Sequence, residues 1–135
     1  MLIEHGDSVA IVAVRDGLLA AVRQPRRGAA EPTLEHPSGK VEPGETHEHA
    51  AVRELAEECG LAAEAVREVG RFLAVPAYST ERVWVYEATG LADGDGTAVL
   101  DDDEDLELEW VALDGAERVF SDGVSIAALA LWRLA

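Results

Sequence analysis

Apolar positions fall into short runs with strand spacing and two longer stretches with helical spacing. Residues 8–14 (SVAIVAV) form an unbroken, β-branched apolar run, and Arg15-Asp16-Gly17 follows as a turn. Residues 18–23 (LLAAVR) extend the pattern, predicting a hairpin that Gln24-Pro25-Arg26-Arg27-Gly28 ends. Residues 33–36 make a short extended piece. Residues 66–75 (VREVGRFLAV) read as a strand interrupted at Gly70, and 82–89 (RVWVYEAT) as another, with the turn PAYSTE between them. Residues 106–113 (LELEWVAL) alternate cleanly, and 122–134 form an apolar closing helix. Strands interleaved with two main helices predict one α/β sandwich.

The first helix is predicted over 46–59, a run without internal Gly or Pro that Gly60 closes. Within it Val52, Leu55, Ala56 and Cys59 recur at helical spacing and are expected to face the core. Glu54, Glu57 and Glu58 are expected on roughly the opposite side, within reach of one another. Acidic residues on an outer helix face are usually just solvated. Like charges at this spacing repel, however, and together they offer the hard oxygen ligands that Mg²⁺ or Mn²⁺ prefers.

Charge sharpens the picture. The chain of 135 residues carries 27 acidic against 11 basic side chains, a formal net charge of −16, and Lys40 is the only lysine. That balance disfavours nonspecific binding to nucleic acid or to an anionic membrane. A phosphate-bearing ligand would need a locally positive or metal-filled pocket. Arg26 and Arg27 read either as a solvated turn or as a diphosphate clamp. No apolar run is long enough to span a bilayer. The first residues lack the basic-then-apolar pattern of an export leader, and the single cysteine, Cys59, excludes an internal disulfide. A cytoplasmic protein is expected. None of His5, His36, His47 and His49 reads as a metal ligand; His47 and His49 point in different directions on a helix.

The spacing across residues 39–61 is more specific than any single feature. Gly39, Glu45, Arg53-Glu54-Leu55, Glu57-Glu58 and Gly60-Leu61 match all nine fixed positions of the Nudix box within 23 residues. On that pattern the chain resembles the Nudix hydrolases, which hydrolyse nucleoside diphosphates linked to a further moiety. The resemblance implies one domain over residues 1–135, an α/β/α sandwich with a mixed sheet, and Mg²⁺ (or Mn²⁺) as cofactor. It implies Glu54 and Glu58 as principal metal ligands, completed by Glu57 and the Ser38 carbonyl. Arg53 would pair with Glu45 to hold the carboxylate helix against the loop that leads into it.

Further segments resemble the ADP-ribose pyrophosphatase branch. They are Gln24-Pro25-Arg26, Leu34-Glu35-His36-Pro37-Ser38-Gly39, Pro76-x-x-Ser79-x-Glu81 and the acidic stretch Asp102-Asp103-Glu104-Asp105-Leu106-Glu107. They imply ADP-ribose as substrate, with Arg26, Arg27, Glu35, Tyr78 and Glu81 toward it. They also imply Asp102 or Glu104 as general base, Glu104 having the longer reach; as a plain sequence, the same acidic stretch reads as a solvated loop. Pro25 and Ala77 stand where that branch favours an aromatic and a glycine, and Ser38 replaces its alanine. About seven residues precede the first predicted strand, against a leading subdomain of several dozen in that branch. Family members are commonly homodimers, here through the sheet or the closing helix. Two other readings stay open: a Nudix enzyme for another nucleotide (an oxidised nucleoside triphosphate, a dinucleoside polyphosphate or a nucleotide sugar), and a non-catalytic nucleotide-binding regulator.

Overall fold

A computed structural model describes residues 1–96 and 106–135. The elements in order are β1 (Ser8–Arg15), β2 (Leu18–Gln24), β3 (Thr33–Glu35), β4 (Ser38–Lys40), α1 (His47–Cys59), β5 (Leu61–Ala62), β6 (Ala65–Leu73), β7 (Arg82–Thr89), β8 (Ala92–Asp93), β9 (Glu107–Ala112) and α2 (Gly123–Leu134). A short 3-10 turn, Ala116–Arg118, precedes α2. The sheet is mixed: β1 runs parallel to β7 and antiparallel to β2 and β4. Beyond β7 lies β6, and β2 pairs with β1 and then β3 along one edge and with β9 along the other.

The unbroken apolar run of β1 follows from burial on both faces. Val9, Ile11 and Ala13 point toward α1, where they meet Ala51, Leu55 and Tyr86. Ala10 and Val12 point the other way, into a second cluster with Val85, Phe120, Ala128 and Leu129 of the α2 side. Three layers, α1, sheet and α2, result, as the sandwich reading requires. The β1–β2 turn places Asp16 and Gly17 at φ 53° and 74°, the left-handed pair that matches the twist of a tight hairpin. The interruption foreseen at Gly70 is a bulge between Glu68 and Gly70 in the β6–β7 pairing. Among the described residues no helix is long and apolar enough to cross a membrane.

Helix α1 begins where its cap allows: the Thr46 hydroxyl accepts from the His49 N–H, and Gly60 closes the helix at φ 66°. Its orientation differs from the expected one. Val52 is 44% exposed and Ala56 half-buried, while the buried face is Ala50, Ala51, Glu54, Leu55, Glu58 and Cys59. Glu54 and Glu58 therefore sit within the buried face rather than opposite it. Polar partners on β4 and on α1 itself make that burial tolerable. Cys59 is an inert thiol, pushed up to about 12 by burial.

His36, between β3 and β4, is almost fully buried. Its Nε2 donates to the Ser125 carbonyl at 3.2 Å, and its ring lies 4.6 Å from that of Phe120. Nδ1 has no hydrogen-bond partner among the described residues. Burial, partly opposed by the Ser125 bond, pushes the imidazole down to about 4. Unfolding restores the ordinary value near 6.5, so this group's contribution is complete above that pH and is lost as pH falls toward 4. The loss totals roughly 3 kcal/mol. Urea unfolding at pH 7 and 4.5 should show a pH penalty smaller by roughly 2–3 kcal/mol in His36→Gln than in wild type. Equal penalties would contradict the assignment.

Candidate active site

The short strand β4 lies against α1, so backbone and carboxylates meet without an intervening layer. The Ser38 N–H donates to Glu58 Oε1 at 2.8 Å. A Cβ on Gly39 would stand 2.1 Å from Glu54 Cδ, so the missing side chain is the space this carboxylate fills. Arg53 ties the group to the preceding loop. Its Nε and Nη2 donate to the two oxygens of Glu45 at 2.7 and 2.8 Å, and Nη2 also reaches the Lys40 carbonyl at 3.0 Å. Its Nη1 donates to Glu54 at 2.8 Å and to Glu57 at 3.2 Å. The Arg53 hydrogen bond above all holds Glu45 down to about 2, and the surrounding carboxylates raise Arg53.

These residues form one wall of a cavity of about 1060 Å³. On another wall Arg26 makes a bidentate pair with Glu35, through Nε at 2.9 Å and Nη2 at 2.8 Å. That pairing raises Arg26, and the Thr33 hydroxyl also donates to Glu35. A third wall carries Glu81, which accepts from the Ser8 hydroxyl at 2.7 Å and lies 3.8 Å from His5. At the N-terminus of α2, Asp122 caps the Ser125 N–H, and burial raises its carboxyl.

Of the residues singled out from sequence, Arg26, Glu35, Ser38, Arg53, Glu54, Glu57, Glu58 and Glu81 line this cavity. Glu45 backs it through Arg53. Arg27 and Tyr78 are exposed and do not line it, so the adjacent arginines do not form a joint clamp in this geometry. Asp102 and Glu104 lie outside the described residues. Ser8, Thr33 and Asp122 line the cavity as well; each is a single polar residue at an element end, and only Asp122 carries a local signal in the sequence, that of a helix cap.

The donor set fits a divalent cation in kind, since it is made of carboxylates and a backbone carbonyl. As placed, no group of three or more acidic, His or Cys side chains among the described residues is arranged to hold one. Their oxygens are engaged elsewhere: Arg53 holds Glu54 and Glu57, and the Ser38 N–H holds Glu58. Gly39→Ala should report on this cradle. The clash falls on the far end of a flexible side chain, so stability should change little while Glu54 is displaced. A misplacement of that size should cost on the order of 10²-fold in turnover. Wild-type turnover with an unchanged melting temperature would refute the role given to the cradle.

Residues 4–129 match the NUDIX domain. The chain belongs to the Nudix family. It is 35% identical over 116 residues to the ADP-ribose pyrophosphatase of Bacillus subtilis (strain 168), covering 85% of this chain and 63% of that protein. It is 33% identical over 116 residues to the methanol dehydrogenase activator of Bacillus methanolicus, with the same coverage. The ADP-ribose pyrophosphatase of Mycobacterium tuberculosis (strain ATCC 25618 / H37Rv) is 32% identical over 132 residues, covering 96% of this chain and 64% of that one. The Nudix chain thus spans somewhat less than two thirds of the length of these curated relatives. A solved structure described as an ADP compounds hydrolase superposes with a TM-score of 0.83 at 25% identity, covering 95% of this chain and 71% of that one.

Proposed function

We propose that this Nudix chain, folding as one domain over residues 1–135, hydrolyses the diphosphate bond of a nucleoside diphosphate linked to a further moiety. ADP-ribose, split into AMP and ribose 5-phosphate, is the substrate we favour. The observation that carries this reading is that the box carboxylates Glu54, Glu57 and Glu58 line one cavity together with the pairs Arg26–Glu35 and Ser8–Glu81. Two relatives named ADP-ribose pyrophosphatase support the substrate.

Hydrolysis adds water across the P–O–P bridge: its oxygen bonds to one phosphorus while the bridging oxygen leaves with the other phosphate. The reaction needs charge neutralisation and an aligned water more than covalent work. Glu54, Glu57, Glu58 and the Ser38 carbonyl would hold Mg²⁺ (or Mn²⁺), which when bound polarises phosphoryl oxygens and neutralises their charge. Arg53 and Glu45 keep α1 fixed against β4. Arg26, itself oriented by Glu35, offers a cation to a phosphate oxygen, and Glu81 offers an acceptor to a sugar hydroxyl. Glu104, or Asp102, takes the water's proton. We place the enzyme in the cytoplasm, with a homodimer as its assembly.

A second reading keeps the chemistry and changes the nucleotide. It is favoured by a putative 8-oxo-dGTP diphosphatase of Bacillus subtilis (strain 168), 33% identical over 81 residues. Chromatographic product analysis of a mixed panel (ADP-ribose, NADH, diadenosine polyphosphates, nucleotide sugars and 8-oxo-dGTP) separates the two. AMP and ribose 5-phosphate, with the rest spared, support the first reading; preferential cleavage of another compound replaces it with the second.

A further inference from the structure

We infer that Arg53 is a built-in counter-cation of the acidic helix and that a divalent ion enters by exchange, with Glu54 and Glu57 leaving Nη1 of Arg53 while Glu45 keeps the guanidinium anchored. The inference rests on the metal reading above and concerns how that site is charged.

One guanidinium faces four carboxylates: Glu45, Glu54 and Glu57 within 3.2 Å, and Glu42 at 3.9 Å. One positive charge against four negative ones leaves the group strongly anionic, so Arg53 moderates the repulsion without removing it. Its bonds are unequal. Toward Glu45 it presents Nε and Nη2 as a two-pronged fork, the strong and geometrically specific mode, and Nη2 is held further by the Lys40 carbonyl. Toward the helix it presents Nη1 alone, shared between Glu54 and Glu57, the latter bond the longer at 3.2 Å.

Burial points the same way. The Glu45 side chain is 7% exposed and that of Glu57 is 30% exposed, so Glu57 has the freer path off the guanidinium. Glu54 is confined above Gly39 and is bound to Arg53 through the single prong Nη1 rather than the fork. The fork therefore stays and the shared prong yields. With the prong in place, no three acidic side chains among the described residues are arranged to hold an ion. Arg53 is thus a positioning residue that gathers Glu54 and Glu57 on its own Nη1, and it competes with the cation for the same oxygens. Competition of this kind is reciprocal: whatever Arg53 contributes to the metal-free protein it withholds from metal affinity.

The test uses Mn²⁺ affinity by calorimetry and melting temperature with and without Mg²⁺, on wild type, Arg53→Gln and Arg53→Lys. Exchange predicts that Arg53→Gln melts lower without metal, gains more than wild type from Mg²⁺, and binds Mn²⁺ tighter by on the order of 10-fold. A purely structural arginine predicts the opposite sign, weaker binding with α1 loosened. Wild type supplies a readout that survives misfolding of the variants. In guanidinium ¹⁵N spectra, saturating Mg²⁺ should leave the Arg53 Nε signal sharp and change the Nη1 signal. An unmoved Nη1 signal, or Mn²⁺ affinity equal to or weaker than wild type in a folded Arg53→Gln, overturns the exchange while the metal reading stands. No Mg²⁺-induced stabilisation or Mn²⁺ binding in wild type overturns both.

Discussion

Glu58→Gln is expected to lower kcat by more than the ~10²–10⁴-fold typical of a lost general base, because it damages the charge set on which the rest of the site depends. Glu58 is buried, and its Oε1 accepts from the Ser38 N–H on β4. A glutamine keeps the shape and an acceptor oxygen for that N–H, so α1 should stay docked and the melting temperature should move little. What disappears is the negative charge. Steady-state turnover at saturating Mg²⁺, alongside a thermal melt, separates the two effects. Near wild-type activity would remove Glu58 from the metal set and with it the core of the proposed mechanism.

Glu104→Gln is expected to lower kcat by about 10²–10⁴-fold with little change in KM, since a base acts in the transition state and not in binding. Glu104 lies outside the described residues, so its assignment rests on the acidic stretch that precedes β9 and on its reach relative to Asp102. Comparing Glu104→Gln with Asp102→Asn by single-turnover kinetics decides between them. Unaltered turnover in the first and a large loss in the second would move the base to Asp102.

Much of this arrangement was legible because local chemistry and burial agree. Residues 8–14 read as one apolar run because β1 is covered on both faces, and α1 announced its ends through Thr46 and Gly60. What could not be read was the rotation of α1. Placing Val52 in the core and Glu54 and Glu58 outside is the ordinary outcome of apolar spacing. It fails here because the Ser38 N–H and Arg53 make buried carboxylates tolerable. The first of those partners comes from a three-residue strand containing a glycine, too short to leave a period in the sequence. The same holds for β5 and β8, two residues each. Ser8 and Glu81 are 73 positions apart and meet only because β1 and β7 pair in parallel, Ser8 opposite Val83. Arg26 and Arg27 are adjacent in sequence, yet the Glu35 pair draws only Arg26 to the cavity wall.

The most direct measurement is hydrolysis of ADP-ribose by the purified protein with Mg²⁺ in ¹⁸O-enriched water, with products separated by ion exchange and weighed by mass spectrometry. Diphosphate hydrolysis in the Glu54–Glu58 cavity predicts AMP and ribose 5-phosphate in equal amounts, one ¹⁸O in one of the two, and no turnover by Glu58→Gln. Intact ADP-ribose after prolonged incubation, or equal turnover by wild type and Glu58→Gln, would contradict it.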